Sequence, residues 1–192
     1  EKGGRNVSPP AHTDPMDILI REAEPAEFDE AGALTAAAYL DDGLLDLGAE
    51  DPYRAQLRDA ARRAEHALLL VAVDRGGAGG VLGTVTFVGE GGEFADLAAG
   101  DEAEFRMLAV RGEARGRGAG EALVRACVER ARRLGKRRVV LSSQSQMHTA
   151  HRLYERLGFV RTPERDWEPV PGLTLHVFAR ELPTEPADEH NI

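Results

Sequence analysis

The chain has 192 residues, of which 42% are hydrophobic and 30% are charged, and its formal net charge at pH 7 is −9. This length and composition predict one globular domain with a sizeable core, and the acidic balance argues against a nucleic-acid-binding protein, whose surface is expected to be basic. One cysteine leaves no internal disulfide, no apolar run approaches the roughly 20 residues of a membrane span, and no secretory leader pattern is visible, so we expect a cytoplasmic protein.

The two ends of the chain differ in composition from its centre. Residues 1–16 contain paired glycines, paired prolines and few apolar side chains, which predicts a disordered or tag-like lead. Residues 183–192 form a polar tail. We therefore expect a single domain over residues 17–182.

Strand and helix patterns fill the first half of this domain. The strand patterns are residues 18–21, 66–73 and 81–88. The second of these is a continuous apolar run, which is typical of a strand covered on both faces. The helix patterns run from Pro25 to about Tyr39 and from Pro52 to about Glu65, each with proline in its first turn.

The centre of the chain carries an apolar strand pattern, a glycine-rich turn and a helix pattern. These are residues 104–110, residues 115–120 (Arg-Gly-Arg-Gly-Ala-Gly) and a helix to Leu134. Glycine allows positive φ, and a helix N-terminus offers unpaired N–H groups at the positive end of the helix dipole. The turn therefore predicts a phosphate or pyrophosphate site, with Arg115 and Arg117 as charged donors.

Two common phosphate-binding motifs are excluded. The chain contains no Gly-Lys-Ser/Thr, which a P-loop requires. The glycines Gly116, Gly118 and Gly120 have the wrong spacing for a dinucleotide fingerprint.

The remaining elements follow the central helix. Strand patterns are residues 137–141, 159–160 and 173–180, and a short helix pattern is residues 148–157. The strands on either side of the central helix make a βαβ unit, whose crossover is expected to be right-handed.

Two motifs resemble signatures of one enzyme family. The turn resembles the Arg/Gln-x-x-Gly-x-Gly/Ala signature of the GNAT superfamily of acetyl-CoA-dependent N-acetyltransferases, with Arg115, Gly118 and Gly120 at its defining positions. Residues 150–159 resemble the family's second signature, Ala-x-x-Leu-Tyr-x-x-Leu-Gly-Phe. Many relatives place Asn where this chain has Met147. The resemblance implies an α/β (α+β) GNAT fold, with a mixed, mostly antiparallel central sheet flanked by helices.

The resemblance also implies a site for acetyl-CoA as co-substrate, without a metal ion. Its expected residues are Leu108, Ala109, Val110, Arg115, Gly116, Arg117, Gly118, Ala119 and Gly120. In the family the strand edge pairs with the pantetheine arm and the turn holds the pyrophosphate. A splay beside this strand leaves amides free, and one of them polarises the thioester carbonyl.

Two residues are candidates for acid–base catalysis. Tyr154 matches the tyrosine that protonates the departing thiolate in many members; the alternative is an amphipathic-helix tyrosine packed in the core. Glu104 lies where some lysine-acetylating relatives carry a general base; the alternative is a solvated acid at a strand start. Arg111 has two interpretations, a phosphate contact or a solvated side chain.

Other reactive side chains are weaker candidates for a functional site. His148 and His151 could share a metal, but no third ligand supports them. Cys127 lies on the apolar stripe of the central helix, which favours a buried, inert thiol. Ser142 and Ser143 end a strand beside the expected cofactor site. One interpretation is that their hydroxyl groups form a hydrogen bond with the cofactor or the acceptor.

The resemblance predicts transfer of an acetyl group to a small-molecule or peptidyl amine, by direct attack in a ternary complex. In this fold the acceptor lies between residues 41–51 and the segment around Trp167. The acidic residues there favour a cationic amine; the alternative is the solvated surface of an acidic protein. A non-catalytic acyl-CoA-binding module is the alternative function. Many relatives dimerise, so a homodimer is one expected state.

Overall fold

The computed structural model describes residues 17–77 and 79–183. The predicted lead, and all of the predicted tail except Pro183, lie outside these residues. The strands are β1 (Ile18–Glu22), β2 (Leu68–Asp74), β3 (Val81–Val88), β4 (Glu102–Val110), β5 (Arg138–Gln144), β6 (Val160–Arg161), β7 (Trp167–Val170) and β8 (Leu173–Glu181). The helices are α1 (Phe28–Asp41), α2 (Tyr53–Arg58), α3 (Ala60–His66), α4 (Ala119–Arg133) and α5 (His148–Arg156).

All these strands belong to one sheet. Their order is β1-β2-β3-β4-β5-β8-β6, with β7 paired to β8. Every pairing is antiparallel except that of β4 with β5. The parallel pair is connected through α4, because parallel neighbours need a long crossover. The predicted mixed, mostly antiparallel sheet with a central βαβ unit is confirmed.

Helices cover both faces of the sheet. On one face, buried side chains of α4 and α5 form one cluster with residues of β3, β4 and β5. On the other face, α1 and α3 pack against β2 through Ala31, Ala60 and Val71. Residues 69–72 are all buried, which confirms that β2 is covered on both sides. Among the described residues, no helix combines the length and apolar character needed to cross a membrane.

The two central strands separate after a short pairing. Residues 102–104 of β4 pair with residues 138–140 of β5. Beyond that point β4 keeps its ladder with β3 but has none with β5 among the described strands. The register with β3 shifts around Met107, a non-glycine residue with a φ of 55°, which marks a β-bulge. The edge of β4 facing β5 is therefore unpaired over residues 105–110.

One predicted element differs from the structure, and one strand was not predicted. The single helix expected from Pro52 to Glu65 is two helices, because Asp59 leaves the helical region (φ −82°, ψ 67°). Its carboxylate accepts the Arg62 N–H at 3.1 Å and caps a new helix start. The sequence does not predict β7, whose Trp-Glu-Pro-Val segment lacks apolar alternation and contains a proline; it pairs only with β8.

Candidate active site

The glycine-rich turn has the predicted backbone conformation at the start of α4. Gly116 and Gly118 have φ angles of 77° and 87°, in the left-handed region that favours glycine. Gly118 is the N-cap of α4. Apart from the glycine itself and its two chain neighbours, no described residue has an atom within 4 Å of the point that a Cβ would occupy at either position. The turn therefore needs these glycines for its conformation, and the space beside the helix start is open to a ligand.

A groove of about 700 Å³ runs along this turn, and we call it the β4–α4 groove. It is lined by eight of the nine residues predicted to bind the cofactor: Leu108, Ala109, Val110, Arg115, Gly116, Gly118, Ala119 and Gly120. The groove brings together the unpaired edge of β4 and the N–H groups at the start of α4. These donors, with the arginine of the turn, fit a ligand that carries a pyrophosphate.

The arginines near the turn are held by acidic partners. Arg115 lines the groove, and its Nη2 donates to both carboxylate oxygens of Asp42 at 2.9 and 3.0 Å. Arg117, the ninth predicted residue, does not line the groove; its Nη2 donates to Asp74 at 3.2 Å. Arg111 does not line the groove, and 36% of its side chain is exposed.

The guanidinium of Arg111 instead connects two elements on the other side of β4. Its Nη2 donates to the Glu30 carboxylate at 2.7 Å, and its Nε donates to the Val81 carbonyl at 3.1 Å. Arg111 therefore joins α1 to β3, and its contact with a phosphate stays a prediction.

A second cavity of about 590 Å³, which we call the inner pocket, lies beside the groove. Its lining is largely apolar and aromatic and includes Tyr53 from α2 and Trp167 from β7. Residues of the loop at 41–51 also line it, so the two segments expected to border an acceptor come together. Five residues line both cavities: Tyr39, Leu44, Leu108, Met147 and Tyr154. The groove and the pocket therefore meet beside the unpaired edge of β4.

Four charged side chains line the inner pocket, and three of them are acidic: Asp46, Asp51, Asp96 and Arg106. Arg106 is paired with Asp96, at 3.0 Å between Nη2 and Oδ2. Glu90 and Glu93, two acids of the loop before β4, do not line the inner pocket. Glu93 pairs with Arg62, and Glu90 lies 3.9 Å from Lys136.

Tyr154 lies where the two cavities meet. It is 4% exposed, and its ring packs against Phe105 and Phe178, with ring centroids 5.8 and 5.9 Å apart. Burial raises the pKa of its phenol well above the ordinary value, so the hydroxyl stays protonated at neutral pH. The ring is thus part of the core, as one interpretation states, while the residue also lines both cavities. Its role as an acid stays a prediction.

Glu104 is buried beneath the loop that precedes β4. It is 1% exposed, which makes the solvated-acid interpretation wrong. Its carboxylate accepts the N–H groups of Asp96 and Leu97 at 2.9 and 3.0 Å. Burial raises its pKa to about 7, against the effect of these two hydrogen bonds. Glu104 lines neither cavity, and its role as a base stays a prediction.

A serine–histidine contact is one feature of the site that the sequence does not predict. Ser143 Oγ lies 3.0 Å from His151 Nε2, and Ser142 and Ser143 both line the inner pocket. The only signal is that His151 precedes Tyr154 by three residues on one helix. His148 and His151 have ring centroids 6.3 Å apart, and within residues 17–77 and 79–183 no group of three or more potential ligands is arranged around a metal site.

The remaining candidate is the thiol of Cys127. It is fully buried on α4, and burial raises its pKa. The prediction of a buried thiol is confirmed. Arg106 and the two pocket tyrosines, Tyr39 and Tyr53, are further residues that the sequence did not single out.

Comparisons with known proteins agree with this geometry. A model of the acetyltransferase (GNAT) family matches residues 33–159. Among solved structures, a GCN5-related N-acetyltransferase from Kribbella flavida is 26% identical with a TM-score of 0.64, and the match covers 88% of this chain and 100% of that one.

Two more distant structures share the fold. YncA from Salmonella typhimurium, a putative acetyltransferase solved with its cofactor acetyl-CoA, is 23% identical with a TM-score of 0.61, over 89% of this chain and 97% of that one. The ribosomal-protein-S18-alanine N-acetyltransferase from Escherichia coli is 17% identical with a TM-score of 0.63, over 91% and 99%. No curated protein sequence matches this chain with significance.

Proposed function

The chain belongs to the acetyltransferase (GNAT) family and is an acyltransferase, and from this premise we propose that it moves an acetyl group from acetyl-CoA to a primary amine by direct attack in a ternary complex. The observation that carries the proposal is the junction of the two cavities at Leu108 and Tyr154. A thioester in the groove and an amine in the pocket would meet there without a covalent enzyme intermediate.

The residues of the β4–α4 groove would hold acetyl-CoA. The N–H groups at Gly118 to Gly120 and the guanidinium of Arg115 would bind its pyrophosphate. The unpaired edge of β4, residues 108–110, would bind the pantetheine arm through backbone hydrogen bonds. A free amide of this edge would stabilise the charge that develops on the thioester carbonyl oxygen.

Tyr154 would supply the proton that the leaving thiolate needs. Its hydroxyl is protonated at neutral pH and belongs to a residue that lines both cavities. Burial of the ring lowers the local dielectric constant, which would strengthen the interaction of the hydroxyl with a thiolate.

The inner pocket supports an acceptor with an apolar body and a cationic amine. Aromatic rings and aliphatic side chains form most of its lining, and three carboxylates lie there against one guanidinium. A protonated amine would be attracted by these acids. A small molecule fits this description, as does the end of a peptide.

The test is thiol release from acetyl-CoA with a panel of amines: spermidine, tobramycin, tyramine, free amino acids, and lysine or N-terminal peptides. Calorimetry measures acetyl-CoA binding separately. We expect release with at least one amine, and a higher kcat/KM for tyramine than for glycine. Binding without release for any amine would support the non-catalytic module, and absence of binding would contradict the proposed role of the groove.

A further inference from the structure

Ser143 and His151 form a hydrogen-bonded pair at the wall of the inner pocket. Their Oγ and Nε2 atoms are 3.0 Å apart. Ser143 is 5% exposed and lines the pocket, whereas His151 is half-buried and lines neither cavity. His151 and Tyr154 lie three residues apart on α5, so they share one face of that helix. The pair therefore connects the pocket that Tyr154 borders with a ring that is partly open to solvent.

The surroundings of His151 favour its neutral form. Burial lowers the pKa of the ring, and His176 of β8, His148 of α5 and Arg161 of β6 act in the same direction. The ring centroids of His176 and His148 are 6.2 and 6.3 Å away. The backbone of Gln144 raises the pKa of the ring and so has the opposite effect. At neutral pH the ring can thus accept a proton.

The hydroxyl of Ser143 has two possible acceptors. Besides His151 Nε2, the Sδ atom of Met147 lies 3.3 Å from Oγ. A thioether is a weak acceptor, and an unprotonated imidazole nitrogen is a better one. With its proton donated to His151, the serine oxygen keeps lone pairs that can accept a hydrogen bond from a group in the pocket.

We propose that Ser143 and His151 relay the proton that an acceptor ammonium group must lose before it attacks the thioester. The inference rests on the proposed acetyl transfer. The ammonium gives a proton to Ser143 Oγ while the serine's own proton passes to His151 Nε2, which leaves a neutral amine and a cationic ring. Ser143 is the group that touches the acceptor, and His151 acts through it. The ring then releases its proton to solvent.

The later bond changes do not involve the pair. The amine nitrogen bonds to the carbonyl carbon, the carbon–sulfur bond breaks, and the thiolate takes the phenolic proton of Tyr154. The nitrogen loses its second proton, which restores the tyrosine. One proton is released overall for each ammonium that becomes an amide, and Ser143 forms no covalent bond.

The kinetic test uses acetyl-CoA and the amine of the panel with the highest kcat/KM, from pH 6 to pH 10. His151→Gln and Ser143→Ala should each lower kcat/KM about 100-fold at pH 7. The loss should shrink as the pH approaches the pKa of the amine, because a free amine needs no relay. The double variant should lose no more than either single variant. His66→Gln, which changes a histidine paired with Glu93 outside the site, should keep the wild-type profile.

The outcomes separate the relay from the proposed function. Thiol release with no amine would overturn the proposed function. Thiol release with a His151→Gln deficit that is absent, or constant across the pH range, would overturn the relay alone, because a purely structural defect does not depend on the ionisation of the amine.

Nitrogen-15 NMR of the histidine rings tests the pair without any acceptor. The chain has six histidines, and the spectrum of His151→Gln assigns the signal. We expect the neutral ring with its proton on Nδ1, and a change of the Nε2 shift in Ser143→Ala. A proton on Nε2 in the wild-type protein would contradict the relay, because that nitrogen would then donate to Ser143.

Discussion

Glu102 and Glu104 lie two residues apart on the same face of β4, and the protein shifts the pKa values of their carboxyl groups in opposite directions. Burial alone would raise the pKa of Glu102, but hydrogen bonds from Arg165 and Arg138 hold it at about 2. Burial raises the pKa of Glu104 to about 7, since only backbone N–H groups bind its carboxylate. The presence or absence of arginine partners therefore decides whether the pKa of the buried carboxyl group is lowered or raised.

The shift of Glu104 predicts that stability decreases as the pH rises from about 4.5 to about 7. In this pH range the Glu104 carboxyl group loses its proton in the unfolded chain, where its pKa has the ordinary value of 4.5, but keeps it in the folded protein. The difference corresponds to about 3 kcal/mol in the free energy of unfolding at most. Urea unfolding of Glu104→Gln at pH 5 and pH 7.5 should show a clearly smaller difference between the two conditions than the wild-type protein does.

Glu102 provides the control because its pKa shift affects stability in a lower pH range than the shift of Glu104 does. Its lowered pKa contributes stability that is present above pH 4.5 and lost as the pH falls to about 2. Glu102→Gln should therefore keep the wild-type pH dependence between pH 5 and 7.5. An identical pH dependence for wild type and Glu104→Gln in that range would contradict the prediction.

Replacing Tyr154 by phenylalanine tests its hydroxyl. Tyr154→Phe keeps the ring that packs against Phe105 and Phe178. We expect kcat to decrease about 100-fold because the proton donor is lost, while the Kd for acetyl-CoA changes less than twofold. Steady-state kinetics and calorimetry measure the two effects. Equal losses of kcat and affinity would show that the residue serves packing rather than proton transfer.

The glycine turn can be tested with a matched pair on one helix. Gly118 precedes α4 and Gly135 follows it, with φ angles of 87° and 69°, and apart from the two chain neighbours of each, no described residue has an atom within 4 Å of its Cβ position. Alanine at either residue should cost about 1–2 kcal/mol of stability. Gly118→Ala should also raise the Kd for acetyl-CoA more than tenfold, whereas Gly135→Ala should not. Equal affinities would show that the turn does not bind the pyrophosphate.

The ion pair at the mouth of the groove predicts a gain in affinity. The carboxylate of Asp42 forms an ion pair with Arg115 and places a negative charge beside the expected phosphates. Asp42→Asn should therefore lower the Kd for acetyl-CoA about two- to fivefold, the magnitude of an exposed ion pair, and more at low salt. Asp41→Asn removes the same charge one residue away, outside the groove. If both variants change the Kd equally, only the net charge matters.

Local signals made the conformation of the glycine-rich turn predictable. The spacing of Gly116, Gly118 and Gly120 before an amphipathic helix specifies the turn and the helix start within a few residues. Contacts between distant segments leave no such signal. Arg115 meets Asp42 across 73 residues of chain, and Glu104 is buried because a loop closes over it. The partner of His151 likewise depends on how α5 lies against β5.

The short pairing of β4 with β5 has a consequence for the order of folding. It divides the sheet into two halves, each continuous in sequence: β1 to β4, and β5 to β8. Ladders between strands that follow one another in the chain are local contacts, so we expect them to form before the parallel pairing, which needs α4 to close its crossover. The walls of both cavities come from both halves. We therefore expect a nascent chain that has emerged only as far as β4 to lack both the β4–α4 groove and the inner pocket.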